Sequence, residues 1–258
     1  MKARDGERIH LGIEGLDPLM EGGLLKPSTT LLIGHPGVGK SIFCEHFIWE
    51  GLKRNDYAIY FILDFPPSEL RRRMIRFNWD ISPFTSKDLS KKRLYVADAF
   101  SGATDIPQQK FSEELYVKNP GNLDELFAVF DDLISKVAPL ASKDSAIRIV
   151  VDSVSPILST STDIPKVYRL FRRLVVRTSL VENAVALFVA HLGMHGSQVE
   201  TTLKQLAGNS IQMIRRIENG ESRTYLRIEH LRETYHTTKL IPYAITNEGL
   251  TINPQALF

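Results

Sequence analysis

The sequence predicts an α/β fold: a mostly parallel central sheet flanked by helices, with antiparallel hairpins at its C-terminal end. Three observations carry that expectation. Short apolar, β-rich strings recur at 31–33, 57–63, 94–97, 147–151 and 185–190, unbroken by polar residues, as in strands covered on both faces. Longer helix-period segments lie between them, at 41–54, 68–77, 122–137 and 164–183, the order that crossover connections between parallel strands require. Beyond about residue 209, strings at 211–217, 222–229, 243–245 and 250–252 are separated by Glu218-Asn219-Gly220 and Asn247-Glu248-Gly249, which are hairpin turn signals.

The first strand runs directly into Gly34-His35-Pro36-Gly37-Val38-Gly39-Lys40-Ser41, and Ile42 continues into a helix-compatible stretch. This is a complete G-x-x-x-x-G-K-[ST] string between a strand and a helix, the context a P-loop needs. Its glycines let successive N–H groups turn inward on a di- or triphosphate, and the following helix offers its positive end to the same charge. Lys40 is expected on the β/γ-phosphates and Ser41 on Mg²⁺, so a nucleoside triphosphate and Mg²⁺ are the expected cofactors. The second strand ends in Asp64, after which Pro66-Pro67 stops the extended run and Ser68 caps or opens the next helix. Residues 102–121 are polar, contain Pro107 and Pro120, and are expected to form a surface excursion. Gly121-Asn122-Leu123 begins the helix that follows. The strand 147–151 ends in Asp152-Ser153, the form of a Walker B motif, in which a carboxylate at the carboxyl end of a strand holds Mg²⁺ through a bound water. Triphosphate hydrolysis also needs a group to orient or deprotonate water, and Asp64 is the candidate. The strand 185–190 delivers His191, and 193–208 is expected as a loop. His191 and His195 have i, i+4 spacing, but Gly193 and the strand end speak against a helix, and hence against zinc.

With 258 residues, 43% of them hydrophobic, the chain can bury a full core as one domain, 1–258. Thirty-two basic residues against 30 acidic ones leave a formal charge of +2, so composition makes no electrostatic case for nucleic acid or membrane. The lone Cys44 cannot form an intrachain disulfide and is expected to pack. The sequence has no apolar run long enough to span a bilayer, and Met1-Lys2-Ala3-Arg4-Asp5 lacks a signal-peptide core. A soluble, cytoplasmic protein is expected.

Further along, Gly12-Ile13-Glu14-Gly15-Leu16-Asp17, Gly22-Gly23-Leu24, the P-loop, Phe77-Asn78-Trp79-Asp80, Val151-Asp152-Ser153-Val154 and His230-Leu231-Arg232 follow one another. That order resembles a KaiC-type ATPase of the RecA/RadA superfamily of P-loop NTPases, over nearly the whole chain. The resemblance implies a RecA-like fold and a homo-oligomer, a hexameric ring or a filament, with ATP between subunits. It implies that Arg232 reaches the neighbour's γ-phosphate and that His191 senses the γ-phosphate of its own site. Two departures stand out. The family usually carries Lys where this chain has His230, and two glutamates where it has Asp64 and Phe65. Three functions therefore remain open: an Mg-dependent ATPase, an accessory of DNA recombination that binds single-stranded DNA, and an ATP-binding switch with little hydrolysis.

Overall fold

Strict alternation of side chains builds the centre of the molecule. The computed structural model describes residues 8–103, 115–142 and 144–252. Among them, β1 (Arg8–Ile9) and β2 (Leu24–Leu25) form a small ribbon, and ten further strands form one sheet. These are β3 (Ser28–Gly34), β4 (Tyr57–Ile62), β5 (Leu94–Asp98), β6 (Leu115–Tyr116), β7 (Ile147–Asp152), β8 (Ala184–His191), β9 (Gly208–Glu218), β10 (Glu221–His230), β11 (Ile241–Thr246) and β12 (Gly249–Ile252). Their order is β12-β11-β10-β9-β3-β8-β7-β4-β5-β6. The seven strands from β9 to β6 are parallel, and β10 to β12 add on antiparallel.

In β8, Val185, Leu187 and Val189 enter one core, while Ala184, Ala186, Phe188 and Ala190 enter the other. Such period-two partition makes both faces of a parallel sheet hydrophobic. Helices α1 (Lys40–Lys53) and α2 (Pro67–Arg76) cover the first face with Phe43, Phe47, Leu70 and Met74. Helices α3 (Leu123–Val137), α4 (Ser155–Thr160), α5 (Ile164–Ser179) and α6 (Ser197–Ala207) cover the second with Phe130, Leu133, Phe171 and Leu203.

The N-terminal G-I-x-G-L-D run is a turn locked from within: the Leu11 amide donates to Asp17 Oδ1 at 2.8 Å. Gly12 has φ 79° and lies so close to α1 that a Cβ would meet the Glu50 Cβ at 2.4 Å. Buried Arg148 ties this segment to the sheet, pairing with Asp56 at 2.8 Å and donating to the carbonyls of His10 at 2.6 Å and Phe47 at 2.9 Å.

Four expectations are corrected. The segment 193–208 is not a loop throughout, because α6 occupies Ser197–Ala207. Val199, Leu203 and Leu206 recur at helical spacing and pack on the second core, and the Glu200 carboxylate accepts the Gly193 amide at 2.6 Å. The helix expected over 164–183 stops at Ser179, since Asn183 already serves the sheet lead-in: its carbonyl accepts the Ile147 amide. Ser68 does not cap α2; Pro66 occupies the N-cap in an extended conformation and Pro67 opens the first turn, its fixed φ suiting that position. In the excursion 102–121, residues 104–114 lie outside the described residues, while Leu115–Tyr116 pairs with β5 and Val117 is buried. That part belongs to the sheet edge.

Candidate functional site

The carboxyl ends of β3, β8, β7 and β4 lie side by side, and the chain leaves each through a residue singled out in the sequence. After β3, Gly37 (φ 76°) and Gly39 (φ 97°) take left-handed conformations that L side chains rarely adopt. At Gly39 a Cβ would also sit 2.8 Å from Ile245 Cδ1. The loop closes around its own lysine: Lys40 Nζ donates to the carbonyls of Gly34 at 2.8 Å and His35 at 2.9 Å. Burial pulls this ammonium below its ordinary pKa, while Asp152 and Asp64 pull it back up. His35, Pro36 and Gly37 form the exposed apex, and Ser41 and Ile42 lie in the first turn of α1. The antiparallel extension grips this loop from outside. Arg215 of β9 donates to the Gly37 carbonyl at 2.6 Å, and the Tyr243 hydroxyl of β11 donates to the Val38 carbonyl. Arg215 is thus part of the loop's support. Nothing in its sequence context signals that role.

Asp152 is fully buried at the end of β7. Burial raises its pKa, opposed by hydrogen bonds from Ser41 and Tyr60, and the Tyr60 hydroxyl donates to Oδ2 at 2.9 Å. The Asp152–Ser153 peptide is cis. Asp64 emerges beside it, where Oδ2 accepts the Ser153 hydroxyl at 2.5 Å and lies 3.1 Å from His191 Nε2. Although burial pushes the Asp64 pKa up, those two hydrogen bonds, with the His191 and Lys40 charges, hold it below the usual carboxylate range. His191 Nδ1 is buried without a partner, and the Ser155 hydroxyl accepts the His191 amide at 2.8 Å and contacts His195 Nε2 at 3.0 Å. Phe65 points elsewhere. It is buried in the first core with the Arg73 guanidinium 4.0 Å above its ring. The second family glutamate position thus does not belong to the cluster around Lys40.

Five of the sequence-predicted residues, Lys40, Ser41, Asp152, Asp64 and His191, therefore converge. Arg232 does not. Its guanidinium lies against Gly208, where a Cβ would come within 2.8 Å of Cζ. In the β3–β9 register Gly208 faces Thr29, whereas Met213 faces Gly34; five residues of strand separate the two ends, about 17 Å at the usual rise. Arg232 and His230, both exposed, line an open pocket of about 460 Å³ with Lys204, Gln205, Ser210 and Glu229. Lys204 is paired with Glu229 at 2.8 Å.

The donor set suits Mg·ATP. The glycine-lined loop holds an ammonium where phosphate would sit. Ser41 and Asp152 offer hard oxygens, the donors Mg²⁺ prefers when nucleotide phosphates and waters complete its shell. No cluster of three or more His, Cys, Asp or Glu side chains that could hold a metal occurs among the described residues.

Behind the site, Glu45 is wholly buried and paired with Arg73 at 2.7 Å. Burial raises the Glu45 pKa to about 7. One residue on, burial lowers the His46 pKa to about 4 while its Nε2 accepts the Leu250 amide at 2.7 Å. The signs oppose. Native His46 refuses a proton that the unfolded chain takes below pH 6.5, so its contribution is lost as pH falls toward 4. Native Glu45 takes its proton near 7, before the unfolded chain does, so stability is gained as pH falls toward 4.5. Glu45→Gln should therefore lose about 3 kcal/mol relative to the parent between pH 7 and 4.5. Urea unfolding across that range tests this, and parallel pH slopes in both proteins would refute it.

A family model described as "ATPase: KaiC" matches residues 9–256. An UPF0273 protein of Methanopyrus kandleri is 29% identical over 257 residues, covering 98% of this chain and 94% of that one. A circadian clock oscillator protein KaiC from Picosynechococcus is 26% identical over 250 residues, covering 96% of this chain and 45% of its own length. The crystal structure of a KaiC-like protein from Pyrococcus horikoshii shares the fold, with a TM-score of 0.72, 24% identity and coverage of 96% of this chain and 99% of that one. Among the described residues no helix is long and apolar enough to cross a membrane.

Proposed function

The chain belongs to the KaiC family of ATPases, and from that premise we propose that it binds Mg·ATP and hydrolyses it slowly in a homo-oligomer whose subunits share each site. The observation that carries this reading is the separation of Arg232 from its own P-loop, by the length of β3. An exposed guanidinium so placed is available to another copy's nucleotide, where it can stay charged and grip two phosphate oxygens. Lys40 would exchange its loop carbonyls for the β/γ-phosphates, and Ser41 and Asp152 would hold Mg²⁺. Bound Mg²⁺ supplies charge neutralisation at the phosphates. Asp64 would orient the attacking water, with His191 at the same carboxylate to sense the γ-phosphate. An aspartate whose pKa is depressed is a weak proton acceptor, which is the reason to expect slow turnover. His230 in place of a lysine points the same way, because its charge is not permanent.

The test is steady-state Mg·ATP hydrolysis across a range of protein concentration, with oligomeric state followed by light scattering. Specific activity should rise with assembly. Turnover independent of concentration in a monomer would refute the shared site. Stimulation by single-stranded DNA would replace this reading with a recombination accessory. Tight ATP binding without turnover at any concentration would leave a nucleotide-dependent switch.

A further inference from the structure

Tyr60 is fully buried in the middle of β4, on the face it shares with Ala58 and Ile62. A phenylalanine would fill that space without taking a hydroxyl out of water, so the hydroxyl is a cost unless its hydrogen bond offsets it. That bond goes to Asp152 Oδ2, at 2.9 Å. The ring cannot easily swing away. Phe65 packs against it at a centroid distance of 6.4 Å, and Arg73, anchored by Glu45, lies 4.0 Å over the Phe65 ring. The residue that replaces the family's second glutamate thus braces the tyrosine.

Resting on the Mg·ATP reading above, we infer that Tyr60 is a positioning residue for the cation-binding carboxylate: by engaging Oδ2 it leaves Oδ1 to serve Mg²⁺ and fixes the plane of the Asp152 carboxyl group. Partners that orient a metal-ligating carboxylate are worth about 10- to 100-fold in metal affinity. Tyr60 never meets the nucleotide in this arrangement and acts only through Asp152.

The experiment is calorimetric ATP binding by the full chain, once with excess Mg²⁺ and once with a chelator. In the parent, Mg²⁺ should tighten binding. In Tyr60→Phe that tightening should shrink about 10-fold, while affinity for metal-free ATP stays at the parent value. In an Asp152→Asn background, Tyr60→Phe should cause no further loss. The inference is overturned if Tyr60→Phe keeps the full Mg²⁺ effect. It is also overturned if the variant loses metal-free affinity in step, as a merely structural residue would, or if its loss adds to that of Asp152→Asn. A parent that binds ATP equally with and without Mg²⁺ overturns it while leaving the nucleotide site intact. A parent that binds no ATP at all overturns the reading on which it rests.

Discussion

Lys40→Ala should weaken ATP binding by at least about 100-fold, the loss expected when a buried cation facing a triphosphate is removed. Lys40 is placed for this and for little else. Its ammonium touches two loop carbonyls, its pKa is lowered by burial, and the carboxylates that act on it, Asp152 and Asp64, belong to the same cluster. The Gly34 carbonyl keeps the Leu192 amide as a partner at 3.0 Å and His35 lies in the exposed apex, so neither carbonyl is stranded once the ammonium is gone and the variant should fold. Calorimetric titration with Mg·ATP measures the effect. Parental affinity in a folded Lys40→Ala protein would defeat the assignment of the loop and every role built on it.

Arg232→Ala should bind ATP with an affinity close to that of the parent yet lose the assembly-dependent part of its turnover, by about 1,000-fold if the arginine works as fingers in trans generally do. The separation of the two functions follows from distance. Gly208, against which the guanidinium rests, is opposite the beginning of β3, and the P-loop follows its end. A mixing experiment sharpens the test: Arg232→Ala combined with Lys40→Ala should regain turnover in mixed assemblies, since a finger from one chain can serve the nucleotide of the other. Equal turnover by Arg232→Ala and the parent at every concentration would rule the finger out.

Much of this arrangement was legible in the sequence because it depends on local rules. The unbroken apolar strings mark strands covered on both faces: β4, β5, β7 and β8 lie within two residues of the expected boundaries at 57–63, 94–97, 147–151 and 185–190, while β3 and β9 each begin three residues earlier than expected. Glycines at 37 and 39 announce a backbone that only glycine readily adopts. Asp64, Asp152 and His191 each follow an apolar run, and the ends of parallel strands gather at one edge of a sheet. The helix Ser197–Ala207 was missed for a local reason as well. Gly193 and Gly196 break the chain just before it, and the only apolar signal is the spacing of Val199, Leu203 and Leu206 over a single short helix.

What lay beyond local rules was decided by which strands meet. No pattern in residues 57–65 says that the Tyr60 hydroxyl reaches Asp152 or that Phe65 turns into the core, since both depend on β4 pairing with β7 and on α2 folding back with Arg73. Arg215 and Tyr243 reach the P-loop only because β9 takes the place beside β3 and brings β10 and β11 with it. The sequence by itself determined the strands, the turning loop and the residues at strand ends, because backbone propensity and side-chain period act over a few residues. The tertiary structure alone decided which charges are buried, which carboxylate is braced and how far Arg232 stands from its own phosphate loop. Strand order and burial are properties of the assembled sheet, and contacts across 90 to 200 residues leave no period in the chain.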